Sequence, residues 1–223
     1  MMFKIRAFTL SEVLIVIAII GVVSAMTLPA IIKNYQKNVT ANKLKQTYSL
    51  LAQALEKAKT DYGDIDTWDF YNGTQVGENI WEESPKYSKN FFDKYLVPNI
   101  KHSENTKIAT LNEMGYKNGI LDSNNEQYVD KNYKYTFLKL QNGVYLLMGS
   151  NFNGTTKVLS APFIHVDING NNPPNKFGKD IFSFTFYKTG LSCIRYSPIS
   201  NCGRSCACFI MENGWKIPDN YPW

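Results

Sequence analysis

The sequence predicts an α+β protein in which one long N-terminal helix packs against an antiparallel β-sheet. Three observations carry this reading. Residues 13–32 form an apolar run without a formal charge. An amphipathic helical stripe follows, and alternating strand-like segments begin near Tyr133. With 223 residues, 44% of them hydrophobic and 19% charged, the chain can bury one moderate core and still carry an appendage.

The apolar run comes first. At about 1.5 Å per residue, residues 13–32 span about 30 Å, the thickness of a bilayer's hydrocarbon core. Lys4 and Arg6 precede the run. The positive-inside rule leaves them in the cytoplasm and sends the bulk of the chain outward. Glu12 stands at the head of the run, where an acid pushed into lipid costs on the order of 3 kcal/mol. A plain anchor has no use for it, and on a generic helix it would be an interfacial residue reaching the headgroups. Gly21 and Pro29 weaken the membrane half and mark the expected helix break. Pro29 has no N–H, so the carbonyl of Ala25 loses its helical partner.

The residues around Glu12 change its reading. Lys4, Arg6 and Ala7 lead into Phe8-Thr9-Leu10-Ser11-Glu12 and the unbroken Val13-Leu14-Ile15-Val16-Ile17. This resembles the N-terminus of prepilin-type proteins, the family of type IV pilins and type II secretion pseudopilins, and the likeness covers about the first 55 residues. The resemblance implies that a membrane-embedded prepilin peptidase cuts between Ala7 and Phe8 and that the new Phe8 amine is N-methylated. It assigns Glu12 to recognition and assembly, and places Pro29 where the family tends to carry a helix-loosening proline. The family usually has Gly before the cut where this chain has Ala7, the mildest replacement. A carboxylate in lipid is stabilised by an opposite charge, and the amine of an adjacent subunit can supply one, which would fix axial register.

The implied function is that of a structural subunit of a type IV pilus or type II secretion pseudopilus, not an enzyme. Its partners would be prepilin peptidase, other pilin or pseudopilin subunits, and the inner membrane before assembly. Its domain would be periplasmic or extracellular, and it would end in an extracellular filament. The alternative is a conventional signal peptide cut after Val23-Ser24-Ala25, which would release a secreted soluble binding protein starting at Met26. The acid at the head of the apolar core argues against it.

Beyond Lys33, Leu44, Tyr48, Leu51, Leu55, Ala58 and Tyr62 recur on one helical stripe, and Gly63 supplies a stop. One helix is therefore expected from about Phe8 to Tyr62, near 80 Å long at the standard rise. The expected organisation is a leader over 1–7, a transmembrane and assembly helix over 8–33, and an amphipathic helix over 34–62. An irregular insertion follows over 63–130, with a short helix over residues 90–96. The antiparallel sheet, with a disulfide-bonded C-terminal region, takes 131–223. Asn142-Gly143 marks a hairpin, residues 163–168 and 181–187 are further strands, and residues 191–195 and 208–211 are the last two.

Cys193, Cys202, Cys206 and Cys208 all lie in the last fifth of the chain. The sequence has no Cys-x-x-Cys pair, and His102 and His165 are far away, so disulfides in an exported domain are expected over zinc. Cys206 and Cys208 are too close to pair with each other. Of the two remaining connectivities the nested one is preferred, Cys193–Cys208 around Cys202–Cys206, on the expectation that 191–195 and 208–211 pair as strands.

Asp167, Asn169 and Asp180, with Gly170 between them, place oxygen ligands as a hard cation such as calcium would need. Secretion pseudopilins of this broad family can carry calcium in a loop between late strands. This loop lacks the bidentate Glu of an EF-hand, and an Asx-rich structural turn is the better reading. Calcium is the only cofactor the sequence suggests. No nucleophile elbow, metalloprotease helix or phosphate loop is present. The +5 formal charge falls to +3 once Lys4 and Arg6 are set aside, and it is scattered, which argues against nucleic-acid binding.

Overall fold

A computed structural model of the chain describes residues 9–68, 80–153, 158–193 and 198–223. It divides into two units, Met1–Val39 and Thr40–Trp223. Helix α1, Leu10–Tyr62, begins in the first and ends in the second.

Within the first unit the apolar side chains of α1 have no protein cover. Leu14, Ile17, Ile20, Val22 and Ile31 are each 57–61% exposed, and they point to all sides of the helix.

The second unit is an α+β domain. Thr40, Ala41, Leu44, Thr47, Leu51, Ala54, Leu55 and Ala58 form the buried face of α1. They recur at helical spacing, and each fully buried leucine contributes about 2 kcal/mol. The small residues in this set bring the helix backbone close to the sheet, while Tyr62 at the end of the expected stripe stays exposed. Gly63 ends the helix with φ +81°, and its N–H bonds the carbonyl of Lys59 at 2.9 Å.

Six antiparallel strands follow the order β1-β4-β5-β6-β7-β8. They are β1 Lys107–Thr110, β4 Lys134–Lys139, β5 Tyr145–Asn153, β6 Val158–Asp167, β7 Ile181–Tyr187 and β8 Gly190–Ser192. A separate two-stranded ribbon joins β2 Ile120–Leu121 to β3 Gln127–Val129. Strand alternation divides the core. Leu146, Met148, Ile164, Val166, Phe182, Phe184 and Phe186 join α1 on one face. Tyr135, Phe137, Leu147, Phe163 and Ile181 form a second core on the other, with Leu111, Tyr116 and Phe177.

Three local expectations are corrected. The sheet starts before residue 131, because β1 pairs with β4 from Lys107↔Phe137 to Thr110↔Lys134. The short helix expected over 90–96 is the end of a longer one: α2 spans Ile80–Phe91 and passes into a wide turn over Phe92–Leu96. Its hidden signal is polar, since the buried positions Ser84 and Ser88 carry hydroxyls where a leucine stripe would have been visible. Ser84 Oγ meets Ser150 Oγ at 2.6 Å, and Ser88 Oγ donates to the Ser84 carbonyl at 2.9 Å.

The third correction is residues 208–211, which are helix and not strand. Helix α3 spans Cys206–Glu212, with Cys206, Ala207, Cys208 and Ile210 buried. A four-residue apolar run does not distinguish the two states by itself. Here the burial of Cys206, Ala207 and Ile210 follows the helical period, and Cys202 and Cys206 lie one turn apart.

Candidate functional site

At the start of α1, Thr9 and Glu12 satisfy each other's backbone. The Thr9 N–H and hydroxyl each donate to Glu12 Oε2 at 2.8 Å, and the Glu12 N–H donates to Thr9 Oγ1 at 3.3 Å. This is a capping box: a Thr before the first turn and a Glu three residues on exchange bonds that the helix's own ladder cannot supply. The Thr-x-x-Glu spacing was present in the sequence, but Thr9's role in holding Glu12 was not read from it. Ala7 and Phe8, the expected cleavage and methylation positions, lie outside the described residues.

Downstream of Glu12, the most apolar stretch of α1 has no buried residue and is long enough to cross a membrane. Gly21 and Pro29, expected to break the helix, do not interrupt α1 in the structure. Proline removes one ladder bond, which a helix with good hydrogen bonds on both sides tolerates. The Thr27 hydroxyl also donates to the Val23 carbonyl at 2.9 Å, adding a side-chain bond in the turn before the proline.

In the second unit, Asp167 and Asp180 stand at opposite ends of the loop between β6 and β7, both buried. Tyr116 Oη donates to Asp167 Oδ2 at 2.7 Å and the Asn169 N–H to Oδ1 at 3.2 Å. Asp180 Oδ2 accepts from the Asn175 N–H at 2.9 Å and from Asn169 Nδ2 at 3.4 Å, and Oδ1 accepts from the Lys176 N–H at 2.6 Å. Burial pushes both carboxyls above their usual range, against these hydrogen bonds, and the charge of Asp180 raises Asp167 further. Desolvation, together with Asp167, pushes the Tyr116 phenol well up as well.

These hydrogen bonds tie the loop's Asx side chains to its own backbone. Among the described residues no group of three or more His, Cys, Asp or Glu side chains could hold a metal ion. The Asn169 and Asn175 Oδ1 atoms are buried without partners, and both carboxylates accept N–H and O–H donors from the chain itself. The loop is tied to α1 by Lys43 Nζ, which donates to the Ile168 carbonyl at 3.2 Å. His165 is buried, bonded to Ser183 Oγ at 2.7 Å, and burial depresses its pKa well below the usual value, which keeps it neutral.

The cysteines pair as Cys193–Cys208 and Cys202–Cys206, with Cα–Cα distances of 5.4 and 4.8 Å. The strand register proposed for the first pair does not apply, because Cys208 sits on α3. The knot packs on the β6–β7 loop and on the chain's last residues. Tyr221 Oη donates to the Gly178 carbonyl at 2.5 Å. Tyr48 of α1 donates to the Leu191 carbonyl at 3.1 Å and lies 5.2 Å from the Trp215 ring.

An apolar, uncovered helix led by a Thr-capped Glu, joined to a domain of sheet on helix, defines the class: this is a prepilin-type protein. Residues 2–28 match the prokaryotic N-terminal methylation motif. Residues 30–223 match the family described as "Family of unknown function (DUF6613)", and the chain belongs to that family. No curated protein and no solved structure matches the chain.

Proposed function

We propose that the chain is a structural subunit of a type IV pilus or type II secretion pseudopilus, cut by prepilin peptidase between Ala7 and Phe8, methylated on the Phe8 amine and polymerised through α1. The observation that carries this is the uncovered apolar helix, headed by the one acidic residue of the span. Every apolar side chain of such a helix must find lipid or another subunit. Glu12 then has two partners in sequence: Thr9 while the subunit waits in the inner membrane, and the amine of a neighbour once it is in the filament. The second contact fixes register, the use to which an isolated buried ion pair is best suited.

Mass spectrometry of the mature N-terminus tests the reading. An N-methylated Phe8 supports it. A protein beginning at Met26 would replace it with a secreted soluble binding protein.

A further inference from the structure

Immediately after the apolar run, α1 carries a polar turn that stays exposed. Residues 33–38 read Lys-Asn-Tyr-Gln-Lys-Asn and lie within the first unit. Lys33, Asn34, Tyr35, Gln36 and Asn38 are exposed, Tyr35 to 68%, and Lys37 is partly so. Neither lysine makes a hydrogen bond or an ion pair among the described residues. The sequence offers them no local counter-ion either, since residues 13–55 contain no Asp or Glu.

Their depth follows from the rise of the helix, which is uninterrupted here. With residues 13–32 filling a hydrocarbon core of about 30 Å, Lys33 stands at its edge and Lys37 about 6 Å further out. A headgroup layer adds about 5–7 Å on each side of that core. The single turn from Lys33 to Lys37 therefore has the length of the layer, and the two lysines, four residues apart, share one helix face. Tyr35 brings a ring with a polar tip, a side chain that settles at headgroup level. In the orientation that Lys4 and Arg6 impose, the layer it meets is the outer one.

We propose that Lys33, Tyr35 and Lys37 form a collar that binds the headgroups of anionic phospholipids at the outer face of the membrane. The inference rests on the membrane-spanning reading of α1 and adds a lipid class to it. The two ammonium groups have no acid beside them, and anionic headgroups complement them better than zwitterionic ones, which carry a positive charge of their own. Their methylene stems cover apolar surface while the charged ends reach the phosphates. A subunit that enters a filament leaves the bilayer, so these headgroup contacts are among those that extraction must break.

The test reconstitutes the full chain in phosphatidylcholine vesicles with a trace of spin-labelled phosphatidylglycerol or spin-labelled phosphatidylcholine. It reads the fraction of each label immobilised on the protein. Wild type should prefer the anionic label, and Lys33→Gln with Lys37→Gln should lower that preference by about fivefold per lysine at low salt. Lys33→Arg with Lys37→Arg should keep it. Loss in the Arg pair would overturn the collar. So would a preference that survives the Gln pair, or one that disappears only in Lys4→Gln with Arg6→Gln, at the other end of the span. Flotation of the same vesicles separates this from the membrane reading itself. A chain that does not float with the lipid removes the span, whereas one that floats without discriminating the two labels removes the collar alone.

Discussion

The Tyr116 phenol donates a 2.7 Å hydrogen bond to Asp167 Oδ2 across 51 residues of sequence, inside the protein. Both partners are buried, and burial raises the Asp167 pKa in the fold. A carboxyl whose pKa is raised binds its proton more tightly in the folded chain. Its contribution is therefore most favourable below the unfolded value of about 3.9 and is lost as pH rises through the folded one.

Asp167→Asn removes that dependence. The amide still offers an oxygen, and the Tyr116 hydroxyl can rotate to accept from its NH₂ group. The variant should be at least as stable as wild type at neutral pH, with a shallower loss of stability above pH ~4. Urea melts across this range check it. An unchanged slope would mean that Asp167 stays ionised throughout, leaving Asp180, shifted in the same direction, as the source.

Glu12→Val should enter the membrane as well as wild type, because the span becomes more apolar. Its recovery in sheared filaments should fall steeply. Loss of one partner from a buried pair costs about 3 kcal/mol or more, on the order of a hundredfold in an equilibrium. Thr9→Val, which removes a cap worth about 1 kcal/mol, should have a milder effect in the same direction. Wild-type incorporation of Glu12→Val would refute the register role.

Ala7→Phe should leave the precursor uncut in the membrane, heavier than the mature chain by its leader. A mature mass beginning at Phe8 in this variant would show that the position before the cut tolerates bulk, and one beginning at another residue would show that the cleavage site lies elsewhere.

Gly178→Ala and Gly143→Ala form a matched pair. Both glycines have φ +84°. A Cβ at Gly143 meets nothing within 4 Å, whereas at Gly178 it would overlap Cys206 Sγ and stand 3.0 Å from Tyr221 Oη. Gly143→Ala should cost about 1–2 kcal/mol from backbone strain alone. Gly178→Ala should cost about 1–3 kcal/mol more by overpacking a cross-linked knot. Equal losses in denaturant melts would mean that the knot yields freely.

Peptide mapping without reductant should find Cys193 with Cys208 and Cys202 with Cys206. Opening the first bridge, across 15 residues, should cost about 3 kcal/mol in the chain-entropy model, and opening the second, across 4, about 2. Four free thiols in the exported protein would overturn both.

The long helix and the sheet were legible because burial there is written in large apolar side chains at periods of 3.6 and 2. Leu44, Leu51 and Leu55 announce the helix face, and Phe182, Phe184 and Phe186 a strand. Where burial is written in other letters, the pattern carries no such signal. Ser84 and Ser88 concealed most of α2, and the short edge strand β1 has no buried residue at Lys107 or Ile108. The apolar run at Cys208 is too short to distinguish a period of 2 from one of 3.6, and it folds as helix. At the N-terminus Glu12 was conspicuous because a charge beside lipid is rare. Tyr116 and Lys43 had no such contrast, since their partners are set by long-range packing.

Gly178 waits 43 residues for the tyrosine that closes on its carbonyl. Synthesis runs in one direction, so chain order is also a timetable. The segment that engages the bilayer emerges first, and the aromatic side chains that latch the domain, Trp215 and Tyr221, emerge nearly last. All six strands of the sheet are therefore made before Cys202, Cys206 and Cys208, and before the tyrosine that covers the knot. With Tyr221 docked, Cys202, Cys206 and Cys208 are buried, so any reshuffling of the two bridges belongs to the time before the last residues arrive.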